Sequence, residues 1–100
     1  MFVILWEFLP APGREAEFER AYGHDGDWAR FFQRDPSYLG TDLLRDTRDP
    51  RRFITVDRWT DQASFDAFAE RHAKAYRELD ERLAPLSAAE TRIASFTTPA

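Results

Sequence analysis

The hundred residues predict one α+β domain, an antiparallel four-stranded sheet with both of its helical segments on one face. Three observations carry this. Residues 2–8 and 53–59 alternate like strands, and the first is apolar on both faces. Residues 14–34 and 60–83 repeat apolar side chains at spacings of three and four, the period of a helix face. The segments follow the order strand, helix, strand, strand, helix, strand, which is the split βαβ, ferredoxin-like arrangement.

In the first strand Phe2, Ile4, Trp6 and Phe8 face one way and Val3 and Leu5 the other. A strand covered on both sides belongs in the middle of a sheet. Glu7 is its single charge, and Pro10-Ala11-Pro12-Gly13 stops it. Residues 14–22 read as a helix, with Glu15, Glu17 and Glu19 outside and Phe18, Ala21 and Tyr22 inside. Gly23 and Gly26 interrupt it, since each would cost a continuous helix about 1 kcal/mol. The break reads equally as a bend or as a functional loop. Helical spacing resumes over 27–34 with Trp28, Phe31 and Phe32, and Asp35-Pro36 ends it.

Residues 38–45 read as the second strand, with Leu39, Thr41 and Leu43 alternating against Tyr38, Asp42 and Leu44. A polar turn over 46–50 makes a hairpin with the third strand. There Phe53, Thr55, Asp57 and Trp59 face one way, Ile54 and Val56 the other. Thr60 is placed to cap the next helix, with Asp61 in its first turn. That helix runs to about residue 83, kinked near Arg71, and stops before Pro85. Phe65, Phe68, His72, Tyr76, Leu79 and Leu83 share one of its faces. Residues 87–90 read as a short helical turn, 91–97 as the last strand, and the end from 97 to 100 as a frayed tail. Helices cover only one face of such a sheet. Apolar residues on the other predict a second copy packed sheet to sheet, a homodimer.

Composition narrows the function. An apolar content of 43% is too high for disorder, and no apolar run reaches the roughly 20 residues of a membrane span. The first residues show no basic segment or cleavage pattern, so the expected location is the cytoplasm, with no membrane as partner. There is no cysteine, hence no disulfide, thiolate nucleophile or sulfur ligand. A net charge of −4 argues against nucleic acid as a partner.

Taken together, residues 6–23 (WEFLPAPGREAEFERAYG), 28–46 (WARFFQRDPSYLGTDLLRD) and 57–72 (DRWTDQASFDAFAERH) resemble the antibiotic biosynthesis monooxygenase domains of the dimeric α/β-barrel superfamily. The last strand completes the pattern, so the resemblance spans nearly the whole chain. It implies a homodimer with a pocket in each subunit between sheet and helices. Relatives include cofactor-independent oxygenases of polycyclic aromatic phenols, and haem degraders. The degraders' triad is an Asn on the first strand, then a Trp and a His on the second long helix. Here Trp6 and Phe68 stand at the first two positions, so haem degradation is not expected.

Against that background His72 and Tyr76 read in two ways. His72 accepts a phenolic proton and Tyr76 bonds a ketone or peroxide oxygen, or both are satisfied residues at the core edge. His24, beside Asp25 and Asp27, is a base at the pocket mouth or a solvated loop residue; a metal site is not expected, because the ligands are too few. Trp6, Trp28, Phe31, Trp59 and Phe68 line a flat aromatic pocket or simply fill the core. Asp57 and Glu7 are expected to pair with Arg residues on neighbouring strands or on the partner subunit. No nucleotide, flavin or hydrolase motif is present. The expected protein is a monooxygenase of a planar aromatic or polyketide-like molecule with no cofactor. The alternative is a binding, accessory or cyclase-like protein on the same barrel.

Overall fold

The computed structural model describes residues 1–99; Ala100, the last residue of the expected tail, lies outside them. The chain runs β1 (Phe2–Pro10), α1 (Glu15–Tyr22), α2 (Asp27–Phe32), β2 (Tyr38–Arg45), β3 (Phe53–Trp59), α3 (Gln62–Arg71), α4 (Ala73–Leu83), a 3-10 turn (Ala84–Leu86) and β4 (Ser87–Thr97). The sheet order is β2-β3-β1-β4 with antiparallel neighbours throughout, the ferredoxin-like arrangement with β1 and β3 central. Among the described residues no helix is long and apolar enough to cross a membrane.

The inner faces of the two central strands hold the core. Phe2, Ile4 and Phe8 of β1 and Phe53 and Trp59 of β3 are buried under the helices. Phe18, Ala21 and Tyr22 reach them from α1, Phe31 and Phe32 from α2, Phe68 from α3, and Leu79 and Leu83 from α4. Each buried aromatic ring contributes a large apolar area, roughly 150–250 Å². Glu7 lies on the outer face and is paired with Arg52, Nε to Oε2 at 2.5 Å, which agrees with the pairing expected for it.

The glycine break between α1 and α2 is a tight bend. A Cβ on Gly26 would stand 2.4 Å from the carbonyl oxygens of both Arg20 and Ala21, so the backbones meet where no other side chain fits. At Gly13 the reason is conformational: its φ of +82° turns the chain out of β1 into α1.

Three local expectations are corrected, and a fourth, the helix kink, is met. In β2 the register shifts between Tyr38 and Gly40, where Gly40 takes φ +139°. This bulge moves Tyr38 onto the face of Thr41 and leaves Leu39 exposed with Leu44 on the other. The cap of α3 is Asp61, whose Oδ1 accepts from the Ser64 amide at 2.7 Å, because Thr60 is held one residue earlier by its own amide to Ser37 O. The long second helix divides at His72, which has φ −109° and ψ 26°, close to the expected kink. Finally, residues 87–90 belong to β4 and pair with β1 as far as Pro10; the short helical turn lies earlier, at Ala84–Leu86. Beyond the strand, the Thr98 amide donates to Met1 O at 2.9 Å, so the tail is tied at its start.

Candidate active site

The site is a cavity of about 120 Å³ between the sheet and the helices. Its floor is Trp6 and Phe8 from β1, Thr41 from β2, and Thr55 and Asp57 from β3. Tyr22 of α1, Trp28 and Phe32 of α2 and Tyr76 of α4 wall it, while Asp80 of α4 and Glu90 of β4 are exposed at its edge and mark the mouth. Period-two alternation puts Trp6 and Phe8, and Thr55 and Asp57, on the same inner face. The helix break allows α2 to bring Trp28 against Tyr76, ring centroids 5.2 Å apart.

Asp57 is the polar centre of this apolar space. It is surrounded by protein on nearly all sides but keeps part of its surface open to the cavity. Thr41, its register partner on β2, donates its hydroxyl to Oδ1 at 2.6 Å, and the Tyr38 hydroxyl lies 2.5 Å from Thr41 Oγ1. Burial raises the Asp57 pKa from 3.8 to about 6, with the Thr41 hydrogen bond and the Arg58 charge pulling it back. The expected Arg partner is absent among the described residues. Arg58 is on the outer face, where Nη2 meets Asp42 Oδ2 at 2.7 Å.

The tyrosines respond to the same low-dielectric surroundings. Burial, then the charges of Asp57 and Asp80, pushes Tyr76 up to about 12, so it stays a hydrogen-bond donor throughout the physiological range. Burial also raises Tyr22, against the opposing effect of Trp28 and Ser87, and Tyr38, against that of Thr41. At the mouth, burial and the neighbouring Asp80 charge raise Glu90.

Of the residues proposed from sequence, Trp6, Trp28 and Tyr76 come together at the cavity. Phe31, Trp59 and Phe68 lie in the packed core beside it; Trp59 and Phe68 are fully buried, with centroids 5.3 Å apart. His72 stands at the α3–α4 break with its ring 4.6 Å from Phe68, outside the cavity lining. His24 is exposed in the bend between α1 and α2, also outside the lining. Sequence reasoning passed over Asp57 and Thr41 as site residues. The signal for Asp57 was present, a carboxylate on the inward face of a central strand. The signal for Thr41 was hidden by the bulge at Gly40.

The family model of the antibiotic biosynthesis monooxygenases (ABM) matches residues 1–81. The chain belongs to this family. As an ABM protein it is similar to several solved structures. A variant of SnoaB, a cofactor-independent oxygenase from Streptomyces nogalater, is 23% identical with a TM-score of 0.73, over 97% of this chain and 91% of that one. A protein from Deinococcus radiodurans, proposed to be an antibiotic biosynthesis monooxygenase, is 11% identical with a TM-score of 0.76, over 100% and 94%. A conserved protein from Methanosarcina mazei is 13% identical with a TM-score of 0.71, over 98% and 92%. At these identities the likeness to the solved structures is one of fold. No curated protein matches the sequence.

Proposed function

We propose that this ABM protein is a cofactor-independent monooxygenase of a planar, electron-rich aromatic or polyketide-like molecule, with one site per subunit of a homodimer. The observation that carries the reading is the aromatic-walled cavity with a titratable group at its centre. Cavities of about 150 Å³ accept a benzene ring. A volume of about 120 Å³ is somewhat smaller, so the site takes at most one ring, and the rest of a larger substrate extends through the mouth between Asp80 and Glu90.

In the proposed reaction an activated methylene between aromatic rings becomes a ketone. The carbon loses both hydrogens and gains one oxygen atom of O2; the other oxygen atom leaves as water. The substrate is the only reductant, and the protein supplies orientation, a dry pocket and proton transfer. Trp6 and Trp28 hold the reacting ring, and the Tyr76 hydroxyl donates to the oxygen that develops charge.

The outer sheet face supports the dimer. Leu44 and Phe96 are exposed there, opposite half-buried Ile54 and Val3 and beside Leu5 and Val56 on the central strands, and the bulge residues Leu39 and Ile93 are exposed on the same two edge strands. Flanked by the Glu7–Arg52 and Asp42–Arg58 ion pairs, these apolar side chains form the kind of exposed patch that marks a protein interface.

The test is oxygen consumption with anthrone as probe, followed with an oxygen electrode and product mass. Turnover to the ketone with one oxygen atom from labelled O2 supports the reading. Saturable binding of anthrone with no oxygen uptake would instead make the protein a binding or accessory module.

A further inference from the structure

We propose that Asp57 is the catalytic base of the site, taking the substrate's acidic proton on Oδ2 while Thr41 and Tyr38 anchor Oδ1. The inference rests on the monooxygenase reading above and adds the residue that starts the reaction.

The hydrogen bonds fix the direction of the chain. Thr41 has one hydroxyl proton and donates it to Asp57 Oδ1. The Tyr38 hydroxyl at 2.5 Å must then donate to Thr41 Oγ1. The donors run Tyr38 to Thr41 to Asp57, an order that suits an ionised carboxylate and is strengthened by mutual polarisation. Among the described residues Oδ1 has this partner, while Oδ2 accepts no hydrogen bond. One oxygen is held and the other is left to meet a molecule in the cavity. That is the geometry a general base requires.

The groups around the cavity set its basicity. Tyr22 faces it from α1, Tyr38 acts through Thr41 from β2, and Tyr76 and Asp80 face it from α4. Glu90 faces it from β4; on that strand Arg92 lies opposite Trp6, and Arg58, on the same strand as Asp57, points outward to Asp42. No cation among the described residues is within ion-pair distance of Asp57. Burial therefore outweighs attraction, and the carboxylate is a stronger base than an exposed one while remaining ionised at neutral pH.

In the step itself, the methylene C–H bond breaks and its proton bonds to Oδ2. The electron pair stays on the substrate as an enolate-type anion, which then reacts with O2. The peroxide anion so formed takes the proton back from the neutral acid on its outer oxygen; loss of the second C–H proton then breaks the O–O bond, leaving the ketone, and the outer oxygen departs with both hydrogens as water.

The deciding experiment separates this step from oxygenation. Under anaerobic conditions in D2O, exchange of the anthrone methylene protons is followed by NMR with catalytic protein. Wild type is expected to accelerate exchange, with a rate rising through an apparent pKa near 6. Asp57→Asn retains the Thr41 hydrogen bond and is expected to lose at least about 100-fold in rate at similar KM. Thr41→Val is expected to move the apparent pKa upward while exchange persists. Wild-type exchange without oxygen uptake would retain the base and sink the monooxygenase reading. Oxygen uptake by Asp57→Asn at the wild-type rate and pH profile would overturn the base and leave the monooxygenase. Loss of exchange in His72→Ala but not in Asp57→Asn would move the role to His72, and no wild-type exchange at all would overturn the assignment of Asp57.

Discussion

Thr41 and Asp57 face one another across the β2–β3 pair, and the threonine hydroxyl donates to the carboxylate at 2.6 Å. The bond is made on the inner face of the sheet, at the floor of the cavity. It compensates in part for placing a carboxylate where no Arg among the described residues pairs with it. Removing the hydroxyl with Thr41→Val should raise the Asp57 pKa above about 6 and leave the Tyr38 hydroxyl without its acceptor. The expected loss of stability is about 1 kcal/mol. Carboxyl carbon chemical shifts across a pH titration check the first effect, urea unfolding the second.

Asp57 also sets a pH dependence of stability. Its folded pKa is raised above the unfolded value, so the folded state holds the extra proton between about pH 3.8 and 6. Stability from this group is therefore greatest at low pH and falls as pH rises through that window. At pH 7.5 Asp57→Asn should be more stable than wild type by about 1–3 kcal/mol, the upper value being the full shift and the lower allowing for screening by cavity water. At pH 3.5 the difference should vanish. Urea midpoints at the two pH values decide it, and equal midpoints at pH 7.5 would contradict the raised pKa.

The α1–α2 bend gives a purely steric prediction. Gly26→Ala would place a methyl group 2.4 Å from two backbone carbonyl oxygens, which are not free to move as a side-chain tip is. A loss of about 1–3 kcal/mol is expected, read as a lower thermal midpoint. Gly23→Ala, with 2.9 Å to one carbonyl oxygen, should lose less. A Gly26→Ala protein as stable as wild type would show that the helices are not so closely joined.

The proposed dimer has its own test. Phe96 is 57% exposed and Leu44 50% exposed, on the outer face of opposite edge strands. Phe96→Glu and Leu44→Glu together should convert the dimer to monomer at micromolar concentration in light scattering, because a charge buried between sheets is left without a partner. A wild-type monomer under the same conditions would remove the basis for the face-to-face arrangement.

Much of this architecture was legible because it depends on short-range periodicity. The two-faced apolar pattern of β1 and the alternation of β3 placed both strands centrally, and the glycine pair marked the bend. The errors share one cause. The Gly40 bulge, the extension of β4 back to Ser87 and the choice of Asp61 as cap are each settled by a neighbour distant in sequence: β3, β1 and Ser37 respectively. Local propensity cannot see such partners.

The site divides in the same way. The sequence by itself determined which residues face inward, Trp6, Thr55, Asp57 and Tyr76 among them, since side-chain direction follows from the period of strand or helix. Only the tertiary structure decided which of these share an empty space and which are packed solid. Packing put Trp59 and Phe68 in the core and left His72 at the helix break, while the bulge carried Tyr38 round to Thr41 and so to Asp57. A carboxylate's partner depends on three-dimensional distance, and here that distance gave it a hydroxyl instead of an arginine.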